Sequence, residues 1–233
     1  MNCIIASTST LHGESFLAYL QEPLKNLFQG VKELIFIPYA RPSGISHDAY
    51  TQKAQEGLSK LSIKVRGLHE FDQPIQALDQ AQALFTGGGN TFVLLDQLYR
   101  QNLLPALKAA IQSGVPYLGT SAGSNICGPD IRTTNDMPIV YPPDFSSLGI
   151  LPFNLNPHYL DPIPNSKHNG ESRETRIQEF HAYNKQSVVG LREGSWIRLK
   201  GEECRLEGQG TARIFQAKKP AYELEVGSSL IGI

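Results

Sequence analysis

A serine hydroxyl becomes a useful nucleophile when the backbone presents it and a base takes its proton. Residues 115–128, Val-Pro-Tyr-Leu-Gly-Thr-Ser-Ala-Gly-Ser-Asn-Ile-Cys-Gly, answer the first need. The apolar run 115–118 predicts a strand, 119–123 a sharp turn, and the residues up to Gly128-Pro129 a short helix. Gly119, Ala122 and Gly123 are small enough for such a turn to close around a strained residue, Ser121, at its apex. The Ala122 N–H, at the helix start, would face an oxyanion developing on a carbonyl attacked by Ser121.

The second need is an imidazole. His12, His47, His69 and His181 fall in helical or loop contexts with no chemically useful neighbours. His158 follows a predicted strand end in the rigid setting Asn-Pro-His-Tyr and is the first choice of base, with His168, in a polar loop, second. A histidine base wants a carboxylate on its other nitrogen to fix its tautomer. Asp136, in the loop after the elbow helix, and Glu193, at another strand end, are the candidates. The run Gly87-Gly-Gly-Asn90 could bring backbone N–H groups of Gly88 or Gly89 beside the nucleophile, since glycine allows a reacting carbonyl to approach closely. The same run lacks the G-x-G-x-x-G spacing and the later acidic residue of a dinucleotide loop.

These residues need a frame. Apolar runs at 3–6, 33–37, 63–66, 83–86 and 115–118 predict buried strands, and 16–28, 48–60, 73–81, 91–100 and 103–113 predict helices between them. Alternation of this kind gives right-handed βαβ units and an open, mostly parallel sheet flanked by helices, whose sites lie at the C-terminal strand ends. Residues 150–156 and 187–191 predict further strands, and 170–180 a helix with Ser172 placed to cap it. The stretch 196–226 predicts a short antiparallel C-terminal extension with little functional content.

The chain has 233 residues and a net charge of −1, which predicts one α/β domain over 1–233 and gives no electrostatic case for nucleic acid. Cys3, Cys127 and Cys204 are odd in number and far apart, which argues against a disulfide framework and against a zinc site. The N-terminal residues lack a basic segment and a long apolar core, and no apolar run is long enough to span a membrane, so a cytoplasmic enzyme without membrane partners is expected.

Six stretches together resemble peptidase E: Ile-Arg-Thr-Thr-Asn-Asp-Met-Pro-Ile-Val at 131–140, Gly-Gly-Gly-Asn-Thr-Phe at 87–92, Gly-Thr-Ser-Ala-Gly at 119–123, Asn-Pro-His-Tyr at 156–159, His-Asn-Gly-Glu-Ser-Arg at 168–173 and Glu-Gly-Ser-Trp-Ile at 193–197. The resemblance runs from the first strand to about residue 199 and fades in the C-terminal tail. It implies a class I glutamine amidotransferase-like α/β fold and a cytoplasmic serine peptidase that cleaves dipeptides with an N-terminal aspartate. Serine at 121, where the amidotransferases carry cysteine, sets their chemistry aside.

By the same resemblance Ser121 is the nucleophile, His158 the base, and Asp136 or Glu193 the third member; chain order ranks Asp136 first. The other carboxylate would hold the substrate's α-ammonium. Backbone N–H groups of Gly88 or Gly89 and of Ala122 would bind the oxyanion. Arg173, with Arg132 as runner-up, would bind the aspartate side chain through paired hydrogen bonds. No metal or organic cofactor is expected, and the chain would act as a monomer or homodimer. The competing readings are a cyanophycinase-like hydrolase of β-linked aspartyl dipeptides and a non-catalytic acidic-peptide-binding protein.

Overall fold

The computed structural model describes residues 1–162 and 170–233. In chain order the strands are β1 (Asn2–Ala6), β2 (Glu33–Ile37), β3 (Lys64–Gly67), β4 (Leu84–Thr86), β5 (Tyr117–Thr120), β6 (Asn154–Pro157), β7 (Val188–Leu191), β8 (Ser195–Lys200), β9 (Glu203–Gly208), β10 (Ala212–Phe215) and β11 (Tyr222–Leu224). The helices are α1 (Gln21–Leu27), α2 (His47–Gly57), α3 (Pro74–Asp79), α4 (Thr91–Arg100), α5 (Leu104–Gln112), α6 (Ala122–Asn125) and α7 (Arg173–Tyr183).

A seven-stranded sheet has the order β3-β2-β4-β5-β1-β8-β9. Its first five strands run parallel, and β8 and β9 join antiparallel to β1 and to each other. The parallel strands are apolar on both faces because both faces are covered. Cys3, Ile5, Ile35, Ile37, Leu84 and Tyr117 point into a core shared with α3, α4 and α5. Ile4, Ala6, Leu34, Phe36, Phe85 and Leu118 alternate with them into the core under α1 and α2. Pro23 falls in the first turn of α1, where its missing N–H leaves no helical bond unmade.

The C-terminal part departs from expectation. Strands β8 and β9 do extend the main sheet, but β10 and β11 pair with β7 and β6 in a second, four-stranded sheet of order β11-β10-β7-β6. Leu155, Val189, Leu191 and Ile214 turn one face of it into the common core. Tyr159, Ile177, Val188 and Phe215 pack α7 against the other face. Strands β6 and β7 are parallel, with Pro157 opposite Leu191, so the residues that follow them emerge at the same edge. Residues 196–226 therefore brace the strand pair that carries His158 and Glu193, rather than merely extending a sheet.

Candidate active site

The elbow closes as its small residues require. Strand β5 runs directly into Ser121, whose backbone adopts φ 54° and ψ −110°. A non-glycine residue in that region is strained, by about 1–3 kcal/mol, and is held there by its surroundings. The Ser121 N–H donates to the Ala6 carbonyl at 3.2 Å, and the Ser121 carbonyl accepts from Ser124 and Asn125 at 2.9 Å each, starting α6. Gly123 lies against β4, where an added Cβ would sit 2.2 Å from the Thr86 carbonyl oxygen.

His158 leaves β6 with φ 54°, and its Nε2 stands 2.8 Å from Ser121 Oγ. Its Nδ1 stands 2.6 Å from Glu193 Oε1. Both side chains are partly open to solvent, 36% for His158 and 45% for Glu193. Hydroxyl, imidazole and carboxylate thus form one line of hydrogen bonds, in which Nδ1–H donates to Glu193 and Nε2 is available to accept from Ser121. This reverses the ranking drawn from chain order: the carboxylate on His158 is Glu193, and Asp136 is elsewhere. His168, the second-choice base, lies outside the described residues.

Asp136 sits at the N-terminus of α4. Its Oδ2 accepts from the Thr91 N–H at 2.7 Å, from the Thr91 hydroxyl at 2.6 Å and from the Thr134 hydroxyl at 3.1 Å. A helix N-terminus favours a carboxylate for the partial positive charge of its free N–H groups. The loop that carries Asp136 is sewn to β6 by its asparagines. Asn156 Nδ2 donates to the Thr133 carbonyl and to Asn135 Oδ1, each at 2.8 Å, and Asn135 Nδ2 donates to the Pro157 carbonyl at 2.7 Å. Asp136 Oδ1 makes no hydrogen bond among the described residues.

The glycine run ends β4 beside the nucleophile. A Cβ on Gly88 would lie 2.9 Å from Ser121 Cβ, and Gly89 has φ +148°, a conformation that only glycine adopts readily. The Gly88 carbonyl is turned inward, accepting from the buried Tyr50 hydroxyl at 3.0 Å and from Arg41 Nε at 3.1 Å. In a trans peptide the following N–H points the opposite way. Burial pushes the Tyr50 phenol up, outweighing the pull of Arg41, so it stays protonated and donating. The N–H groups of Gly88, Gly89 and Ala122 find no backbone acceptor among the described residues and are free to serve a reacting oxygen.

The two arginines separate. Arg132 is already engaged: its guanidinium bonds Asp130 Oδ2 at 2.7 Å and Asn184 Oδ1 at 2.8 Å and lies over the Phe180 ring. These contacts tie it to the neighbouring loop and to the end of α7. Arg173 is the first residue of α7, capped by Ser172, whose Oγ accepts from the Thr175 N–H at 3.1 Å. Burial holds its pKa below the usual arginine value, Arg176 adds to this, and the Asp136 carboxylate opposes it. Arg173 and Asp136 therefore lie within electrostatic reach of each other. Cys127 is fully buried, and burial drives its thiol far above the ordinary value, which removes it as a nucleophile.

Tyr50 and Arg41, which fix the glycine peptide, belong to no motif, and Thr91, which holds Asp136, falls inside the stretch 87–92 without a chemical signal of its own. Among the described residues no group of His, Cys, Asp and Glu has the geometry of a metal site.

A model of peptidase family S51 matches residues 3–207. A peptidase E from Streptomyces coelicolor is 47% identical over 230 residues, covering 99% of this chain and 93% of the relative. A Drosophila melanogaster protein named probable alpha-aspartyl dipeptidase is 46% identical over 226 residues, 96% of this chain and 93% of the relative. In fold, the crystal structure of a peptidase from an acI-B1 actinobacterium is similar with a TM-score of 0.75 at 18% identity, over 98% of this chain and 96% of that one. A mostly parallel sheet flanked by helices, shared with the peptidase structure above, is the class I glutamine amidotransferase-like fold. By its sequence over nearly its whole length, the chain belongs to peptidase family S51.

Proposed function

We propose that this chain is a serine dipeptidase that hydrolyses dipeptides with an N-terminal aspartate. The observation that carries the chemistry is the continuous line Ser121 Oγ, His158 Nε2, His158 Nδ1, Glu193 Oε1, at 2.8 and 2.6 Å. Ser121 attacks the carbonyl carbon of the aspartyl residue while His158 takes its proton and Glu193 stabilises the imidazolium. The oxyanion is received by the N–H groups of Ala122 and of Gly88 or Gly89. The C–N bond then breaks as His158 passes the proton to the departing amine. A water molecule, deprotonated by His158, releases aspartate from Ser121.

The substrate class rests on the names of the close relatives and on two charges. An N-terminal aspartate offers an α-ammonium and a β-carboxylate. Asp136 Oδ1 is the group suited to the first, and Arg173 to the second. A cytoplasmic location, and action as a monomer or homodimer, belong to the same proposal.

The test is steady-state hydrolysis of Asp-Leu, Glu-Leu, Asn-Leu, N-blocked Asp-Leu and β-Asp-Arg by the wild type and Ser121→Ala. Cleavage confined to unblocked α-Asp-Leu and abolished in Ser121→Ala is expected. Preference for β-Asp-Arg would move the chain to β-aspartyl hydrolysis. Full activity of Ser121→Ala would end the proposed chemistry.

A further inference from the structure

Ser7 is completely buried, at 0% exposure, in the position just after β1. Its hydroxyl and its N–H are both committed. Its hydroxyl donates to the Leu191 carbonyl at 2.7 Å and accepts the His158 N–H at 2.8 Å. Its own N–H donates to the Ser195 carbonyl at 3.1 Å. Leu191 and Ser195 stand two residues before and two residues after Glu193, so Ser7 grips the chain on both sides of that carboxylate. One residue earlier, the Ala6 carbonyl receives the Ser121 N–H at 3.2 Å and the Ser124 hydroxyl at 2.6 Å.

The last residue of β1 and the one that follows it thus touch the backbone of every segment that contributes to the hydrogen-bonded line. The arrangement matters because that line crosses between sheets. Ser121 follows β5 of the seven-stranded sheet, whereas His158 follows β6 of the four-stranded one. The sheets are joined at this edge by the Ser7 hydroxyl rather than by a strand ladder. His158 also holds a positive φ, which a bond to its N–H helps to keep.

We infer that Ser7 is a positioning residue: through the His158 N–H and the Leu191 carbonyl, its hydroxyl sets the distance between the imidazole and Ser121. The inference rests on the reading of Ser121, His158 and Glu193 as the reacting groups. It touches neither substrate nor oxyanion, so it bears on the rate of chemistry and not on substrate capture. An alanine at position 7 leaves the partly buried His158 N–H without its acceptor, and the His158 backbone must shift to find another.

The experiment compares wild type, Ser7→Ala, Ser7→Thr and Ser121→Ala with Asp-Leu as substrate, and follows each thermal melt by circular dichroism. Ser7→Ala should melt cooperatively and lose about 10- to 100-fold in kcat with KM within about twofold, as expected when an interaction made only in the transition state is weakened. Ser7→Thr, which keeps the hydroxyl, should regain most of the rate. Three results would overturn the inference: Ser7→Ala with the wild-type kcat, Ser7→Thr as impaired as Ser7→Ala, or a loss of rate that merely tracks the loss of folded protein. An active Ser121→Ala would instead show that the underlying reading fails. An inactive Ser121→Ala beside a fully active Ser7→Ala would remove this inference alone.

Discussion

Replacing Glu193 by glutamine keeps the size of the side chain and removes its charge. In the structure the carboxylate oxygen lies 2.6 Å from His158 Nδ1. When Ser121 gives up its proton, the imidazolium and the carboxylate face each other with charge centres about 4 Å apart, an attraction of about 4 kcal/mol at an effective dielectric of 20 and about 1 kcal/mol in bulk water. The two side chains are 36% and 45% exposed, which places the pair between those limits. A loss of about 2 kcal/mol in the transition state corresponds to roughly 30-fold in kcat. The assay is steady-state hydrolysis of Asp-Leu by Glu193→Gln, with Asp136→Asn as the comparison. Glu193→Gln should lower kcat with little change in KM. Asp136→Asn should mainly raise KM, because it removes the charge offered to the substrate ammonium. If Asp136→Asn lost more kcat than Glu193→Gln, the assignment of the two carboxylates would be refuted.

Three further outcomes are expected. Arg173→Met should reduce kcat/KM for Asp-Leu by about 100-fold or more, from loss of a charge-assisted pair, and should spare Ser121 labelling by a neutral fluorophosphonate; an unchanged preference for aspartate would remove Arg173 from the pocket. Gly89→Ala should lower the thermal midpoint as well as activity, since its Cβ would fall 2.2 Å from the Ala40 carbonyl oxygen at φ +148°; a wild-type melt would contradict this. On acidification, the ion pairs of Arg192 with Asp161, at 2.6 Å, and with Glu223, at 2.9 Å, should fail. Bonding to Arg192 holds Asp161 below its ordinary 3.8, and for Glu223 the bonds to Arg192 and Thr211 outweigh burial and hold it below 4.5. Both carboxylates are depressed in the folded state, so their contribution is complete above about pH 4.5 and lost as the pH falls through the folded values. The thermal midpoint should therefore drop more steeply below pH 4 in the wild type than in Arg192→Met.

The parallel core was legible because hydrophobic burial on two faces leaves an unbroken apolar run, as in Leu34-Ile-Phe-Ile37. Helix α4 was legible to its ends, since Asn90 caps it by accepting the Val93 N–H at 3.1 Å. Strand β5 was expected over 115–118 and is observed as Tyr117–Thr120. Apolar character marked its start too early, and its end is set by pairing of Gly119 and Thr120 with Ile5 and Ala6. The second sheet was not legible: the pairing of β10 with β7 depends on contacts between residues far apart in the chain. The same cause hid the true partner of His158. Order along the chain favoured Asp136, whereas the register that sets Pro157 opposite Leu191 delivers His158 and Glu193 to one edge. Ser7 opens the polar stretch Ser7-Thr-Ser-Thr10, which carries no signal in the sequence, and only the meeting of two sheets shows its use.

The parallel pairing of β6 and β7 has a mechanical consequence. Base and acid ride on neighbouring rails of one plate, and the alcohol rides on another. Breathing between the plates would stretch the contact of imidazole with alcohol while leaving imidazole and carboxylate together. The ring would wait with its proton already on the correct nitrogen, and each closure would restore a competent enzyme without any need to reset the tautomer.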